Sequence, residues 1–200
     1  MTTQKLALSL ILFSLLPACA PVLVTGVAVG ASVAHDRRTA GAVLDDQTIE
    51  MKAGAAIAAE HEVAKQVHIN ITSMNGIVLL TGEANTLEAR DQVLTRVRSV
   101  QGIRRITNEI VIGPVSSIPS RAHDGWITGK VKTAFLAEKD FDSTRVKVVT
   151  ENSVVYLMGL VTADEADTAT RLAADVSGIT RVVKVFEFVE PARNATGPAR

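Results

Sequence analysis

Val67-His68-Ile69-Asn70-Ile71-Thr72-Ser73-Met74-Asn75-Gly76-Ile77-Val78-Leu79-Leu80-Thr81-Gly82 decides how the rest of the chain is read. Val67, Ile69 and Ile71 alternate with polar residues, the period of a half-buried strand. Asn75-Gly76 suits a tight two-residue hairpin turn. Ile77 to Leu80 is the returning strand, and Gly82 is expected to end it. The same order recurs in Thr144-Arg145-Val146-Lys147-Val148-Val149-Thr150-Glu151-Asn152-Ser153-Val154-Val155-Tyr156-Leu157-Met158-Gly159. Asn75 falls on Asn152 and Gly82 on Gly159, an offset of 77 residues. A repeat of that length is a duplicated small domain rather than a solenoid unit.

The flanks of each copy repeat as well. A helix over roughly 47–60 carries Ile49, Ala53, Ala56 and Ile57 at spacings of three and four, with Asp45-Asp46 at its expected start. Gly54 within it points to a close helix–sheet approach. After the hairpin, Asn85 and Glu88 read as a capping box. The helix behind them turns Ala89, Val93, Val97 and Val100 inward and stops at Gly102; Ile103 to Ile112 is a third strand. In the second copy a helix over about 125–137 carries Ile127, Val131, Ala134 and Phe135. Thr162 and Glu165 form the capping box, Ala166, Ala169, Ala173 and Val176 face inward, and Val182 to Val189 closes the copy. The order is α-β-β-α-β twice over. The fold class is therefore α+β, two tandem domains, each a three-stranded sheet with two helices on one face.

The expected divisions are a leader at 1–18, a tether at 19–45, a first domain at 46–112, a linker at 113–122, a second domain at 123–190 and a disordered tail at 191–200. In the leader, Lys5 precedes an apolar run from Leu6 to Leu16 of export-signal length. That run is too short to span a bilayer as a conventional helix. Leu16-Pro17-Ala18-Cys19 resembles the bacterial lipoprotein signal, which implies that Cys19 becomes an acylated N-terminus. Cys19 is the only cysteine, so an internal disulfide and a multi-cysteine metal site are excluded. Ala20 follows it where an aspartate would mark inner-membrane retention; by analogy with enterobacterial sorting, the address is the outer membrane, on its periplasmic face.

Lys+Arg 21 balance Asp+Glu 21, which does not suggest a general nucleic-acid binder. No catalytic constellation, phosphate loop or metal-ligand spacing emerges, and the reading is of a non-enzyme without cofactor or metal. The copies differ most in helix one. Trp126, the only tryptophan, stands four residues before Lys130; Lys132 and Thr133 follow. With Ile127 and Val131 inward, Trp126 lies at the edge of the buried face or outside it, as an interfacial lipid contact requires. Counted at 77 residues, Ile49 occupies its place in the first copy and Ala53 lies near that of Lys130. The other reading packs Trp126 into the groove between the domains and leaves both lysines solvated.

The chain resembles the double BON-domain lipoproteins of the bacterial outer membrane over nearly its whole length. His35-Asp36-Arg37-Arg38-Thr39, Leu80-Thr81-Gly82, Trp126-Ile127-Thr128-Gly129-Lys130-Val131 and Val146 to Asn152 carry the resemblance, the last followed by Val155 to Thr162. It implies a non-enzymatic protein that binds anionic phospholipid, supports the permeability barrier, concentrates at the division site and influences amidase regulation. It implies lipid contact through helix one of the second domain: Trp126, Lys130, Lys132 and Thr133. The second hairpin departs from the usual Asn-Gly with Asn152-Ser153. The alternative function is a protein–protein scaffold for an outer-membrane assembly factor or a cell-wall-remodelling protein.

Overall fold

The computed structural model describes residues 36–190. The expectations for the leader, Cys19, most of the tether and the tail lie outside them. The first copy runs α1 (Ala40–Ala58), a single helical turn α2 (His61–Ala64), β1 (Val67–Met74), β2 (Ile77–Ala84), α3 (Leu87–Arg98) and β3 (Arg105–Ile112). The second runs α4 (Ile118–Ala137), a 3₁₀ turn (Ser143–Arg145), β4 (Val146–Glu151), β5 (Val154–Val161), α5 (Ala163–Ala174) and β6 (Arg181–Phe188). The strand orders are β1-β2-β3 and β4-β5-β6. In each sheet the hairpin is antiparallel and the third strand runs parallel to the central one, reached through the second helix.

Each copy has its own core on the helical side of its sheet. Ile49, Ala53 and Ile57 of α1 and Val93 and Val97 of α3 pack on Val78 and Leu80 of β2. Ile127, Val131 and Phe135 of α4 and Ala166, Ala169 and Ala173 of α5 pack on Val155 and Leu157 of β5. The small α5 residues let that helix lie close, and Phe135 supplies volume, its ring 5.1 Å from Phe141 and edge-on to it.

Several local expectations need correction. Both first helices start earlier. Thr39 caps α1 by accepting from the Ala42 N–H, and Ser117 caps α4 by accepting from Ser120. Pro119 does not interrupt α4, because it stands in the first turn, where no intrahelical donor is needed. Asp46 is therefore a mid-helix residue and not part of the α1 start. Thr86, not Asn85, caps α3; the Thr162–Glu165 box of α5 stands as expected. Gly54 makes no close approach, since a Cβ there would meet nothing within 4 Å. Gly82 and Gly159 lie inside β2 and β5 rather than ending them. A Cβ at Gly82 would stand 1.9 Å from the His68 carbonyl oxygen, and one at Gly159 2.7 Å from that of Arg145. The repeated glycines let neighbouring strands close up.

The sheets meet through their helix-free faces. Met74, Ile77 and Leu79 of the first copy form one buried cluster with Tyr156, Met158 and Val185 of the second. The layer order is helix, sheet, sheet, helix, so α1 and α4 lie on opposite outer faces. Polar groups close the rim of this contact. Asn152 donates to Glu83 at 2.6 Å, Asn70 to Glu151 at 2.6 Å and Asn75 to Glu187 at 2.7 Å.

Candidate functional site

α4 is held by one face and leaves the other bare. Ile127, Val131 and Phe135 are in the core. Thr128 Oγ1 donates to Thr150 Oγ1 at 2.7 Å and ties the helix to β4. Asp124, also buried, accepts from the backbone N–H groups of Asn152 at 2.9 Å and Ser153 at 2.8 Å, the two residues of the β4–β5 turn. These contacts fix the rotation of the helix about its axis.

At 100° per residue, the outward stripe is Ile118, Ala122, Trp126, Gly129, Thr133 and Leu136. All six are exposed, and none is charged. Ile118 is 74%, Trp126 59% and Leu136 75% exposed. Ile118 and Leu136 stand five turns apart, so the apolar ridge is roughly 27 Å long. Cβ atoms placed at Gly125 or Gly129 would meet nothing within 4 Å, so no other element covers the helix at these two positions.

The four expected site residues share this helix in different ways. Lys130 folds back: its Nζ stands 3.7 Å from the Trp126 ring centroid and donates to the Ser177 carbonyl and, at 3.4 Å, to Ser177 Oγ. It holds the indole in place from one flank. The His123 ring, 5.8 Å from the Trp126 ring between centroids, supports the same side. Lys132 is exposed on the opposite flank with no ion pair among the described residues. Thr133 is exposed, but its hydroxyl donates to the Gly129 carbonyl of its own helix at 2.9 Å. Trp126 does not pack between the domains, because α4 lies on an outer face. Sequence reasoning missed Ile118 and Leu136. Ile118 lies in a stretch whose prolines and serines read as linker, and Leu136 gives no signal until the rotation of the helix is known.

The comparison with the first copy also changes. Buried Asp46, Ile49, Ala53 and Ile57 match buried Asp124, Ile127, Val131 and Phe135 at an offset of 78. Trp126 therefore corresponds to Thr48, and Lys130 to Lys52, not to Ile49 and Ala53. One residue added between helix and hairpin accounts for the difference from 77.

Among the described residues, no group of three His, Cys, Asp or Glu side chains could hold a metal ion, and no helix is long and apolar enough to cross a membrane. The arrangement presents a fixed uncharged ridge carrying one indole, with ammonium groups on its flanks.

Two α-β-β-α-β units joined through their sheets define the class as a tandem small-domain α+β protein. The BON domain matches residues 45–114 and again 123–190. The outer membrane lipoprotein DolP of Haemophilus influenzae is 33% identical over 187 residues, covering 94% of this chain and 97% of the relative. The 21 kDa hemolysin of Actinobacillus pleuropneumoniae is 33% identical over 155 residues, covering 78% and 80%. The osmotically-inducible protein Y of Escherichia coli is 26% identical over 161 residues, covering 79% and 80%. The chain belongs to the BON family and is a double BON-domain lipoprotein of the outer membrane.

Proposed function

We propose that this envelope protein is non-catalytic and reads anionic phospholipid with the outward face of α4, supporting the integrity of the outer membrane from its periplasmic side, with Cys19 as the acylated anchor. The observation that carries the reading is the uncharged ridge from Ile118 to Leu136 with Trp126 between them and Lys130 and Lys132 on its flanks. An indole held rigidly at a surface is suited to the headgroup–acyl boundary. A lysine close to an anionic surface adds roughly 1 kcal/mol. Acyl chains would keep the domains near the bilayer, so the helix needs only modest affinity of its own. Concentration at the division site belongs to the same reading, since a protein that reads anionic headgroups gathers where they are enriched.

The test is vesicle binding by the chain from Asp36 onward, which contains both cores. Phosphatidylglycerol vesicles should bind it, and phosphatidylcholine vesicles should bind it much less. Trp126→Ala should weaken phosphatidylglycerol binding about tenfold with little change in stability, because the ring is more than half exposed. Equal binding by the variant, or none by the native chain, would overturn the proposal and favour a protein–protein scaffold.

A further inference from the structure

The corrected offset places an open cleft of the first domain opposite a closed one in the second. In the second domain Lys130 covers the loop after α5. A Cβ placed at Gly178 would find Lys130 Nζ at 3.8 Å and His123 Nε2 at 3.9 Å, with the Trp126 indole stacked on the same ammonium. The counterparts of His123, Trp126 and Lys130 in the first domain are Asp45, Thr48 and Lys52. They surround a cavity of about 360 Å³ above Gly102, the counterpart of Gly178. A Cβ placed at Gly102 would find only Ile49 within 4 Å. Ile49 forms an apolar floor, and Asn75, Gln101 and Arg104 complete the wall.

We propose that this cleft binds an aromatic side chain, an indole in the first instance, presented by a protein partner. The second domain shows the arrangement in cis: a ring lying against a lysine ammonium beside the loop glycine. The first domain retains the lysine, the glycine and the isoleucine but has a threonine where the ring would come from. Lys52 makes no ion pair among the described residues, so its ammonium is available to the face of an incoming ring. Charge at the mouth favours a neutral occupant over a phosphate. Arg104 is already paired with Glu187 at 2.8 Å, and Asp45 stands on the same rim as Lys52. The Gln101 amide on the wall suits the backbone of a peptide that carries the ring, whereas the Asn75 amide already donates to Glu187. Because α1 and α4 lie on opposite outer faces, the cleft stays open to a partner while α4 meets lipid. This proposal goes beyond the lipid reading and does not depend on it.

The experiment is an amide chemical-shift titration of the chain from Asp36 onward with N-acetyl-tryptophanamide, repeated with phosphatidylglycerol micelles. Saturable shifts at Thr48, Lys52, Gly76 and Gly102, with a Kd of about 1–10 mM, are expected for one ring in a preformed cleft. Thr48→Trp, which supplies a ring in cis, should weaken binding at least about tenfold, and Lys52→Ala should weaken it about threefold. If Thr48→Trp does not fold, Lys52→Ala decides alone. No shift at these amides by about 10 mM probe, shifts centred on α4, or shifts unaltered in the variants would overturn the proposal. So would shifts of these amides by the micelles without any from the tryptophan amide, which would make the cleft a lipid site. Vesicle binding by Trp126→Ala is read separately, so the two proposals can fail independently.

Discussion

Asp46 and Asp124 are the residues on which each domain's geometry turns. Each is a buried carboxylate on the first helix that accepts from the N–H groups of its own hairpin turn. Asp46 takes Asn75 N–H at 2.7 Å, Gly76 N–H at 2.8 Å, Ser73 Oγ at 2.7 Å and Arg38 Nη1 at 2.8 Å. Burial alone would raise its carboxyl; the donors from Gly76, Ser73, Asn75 and Arg38 outweigh that and hold it below its ordinary value. The turns they clamp need left-handed backbone, with φ of +52° and +72° at Asn75 and Gly76 and +49° and +61° at Asn152 and Ser153. Asparagine tolerates this conformation and also reaches the other domain, whereas Ser153 carries the strain with only its backbone engaged. Ser153→Gly should therefore raise stability by about 0.5–1 kcal/mol, seen as a higher urea midpoint at unchanged m-value. A lower midpoint would mean that the hydroxyl is needed. The strained turn was legible in the sequence. The clamp was not, because an aspartate near a helix start looks like a cap until the true start is known.

At the level of elements, the first helices are longer than their apolar stripes suggest. Thr39 and Ser117 start them in stretches that look like tether and linker, because capping depends on one hydroxyl rather than on periodicity. Gly54 of α1 has open space around its Cβ position and φ in the ordinary helical range, so its cost is not offset by any contact. Gly54→Ala is expected to stabilise the protein by about 0.5–1 kcal/mol in thermal unfolding. No gain would show that the backbone there must bend or approach something. The exposed stripe of α4 was half legible. Trp126 and Lys130 were visible as an i,i+4 pair, but Ile118, Leu136 and the inward fold of Lys130 depend on helix rotation and on Ser177, 47 residues away.

For the whole molecule, the decisive contact is between the sheets. Glu83 and Glu151 are both buried at its rim. Burial raises the Glu151 carboxyl above its ordinary value of 4.5; the Asn70 hydrogen bond opposes this and the Glu83 charge reinforces it. The folded state then holds this proton more tightly than the unfolded chain, so Glu151 lowers stability as pH rises from 4.5 through its folded value. Glu151→Gln, which keeps an oxygen for Asn70 to donate to, should be more stable than the native chain at pH 7, and the gain should shrink toward pH 4 in melting curves. A gain independent of pH would place its cause outside this ionisation. The duplication, the strand and helix order, the hairpins and both helical-side cores follow from the chain's local patterns, because periodicity and turn chemistry are local properties. A sign of the sheet contact lies there too: Ile77 to Leu80 and Val154 to Met158 are unbroken apolar runs, as strands buried on both faces are. The packed fold alone reveals which surface covers the second face, that α1 and α4 look in opposite directions, and that Thr48 rather than Ile49 stands where Trp126 does. The first two depend on packing between residues more than 70 positions apart; the third depends on the clamp of each first helix to its own hairpin turn, 29 positions away, where a one-residue shift in offset changes which side chain faces out.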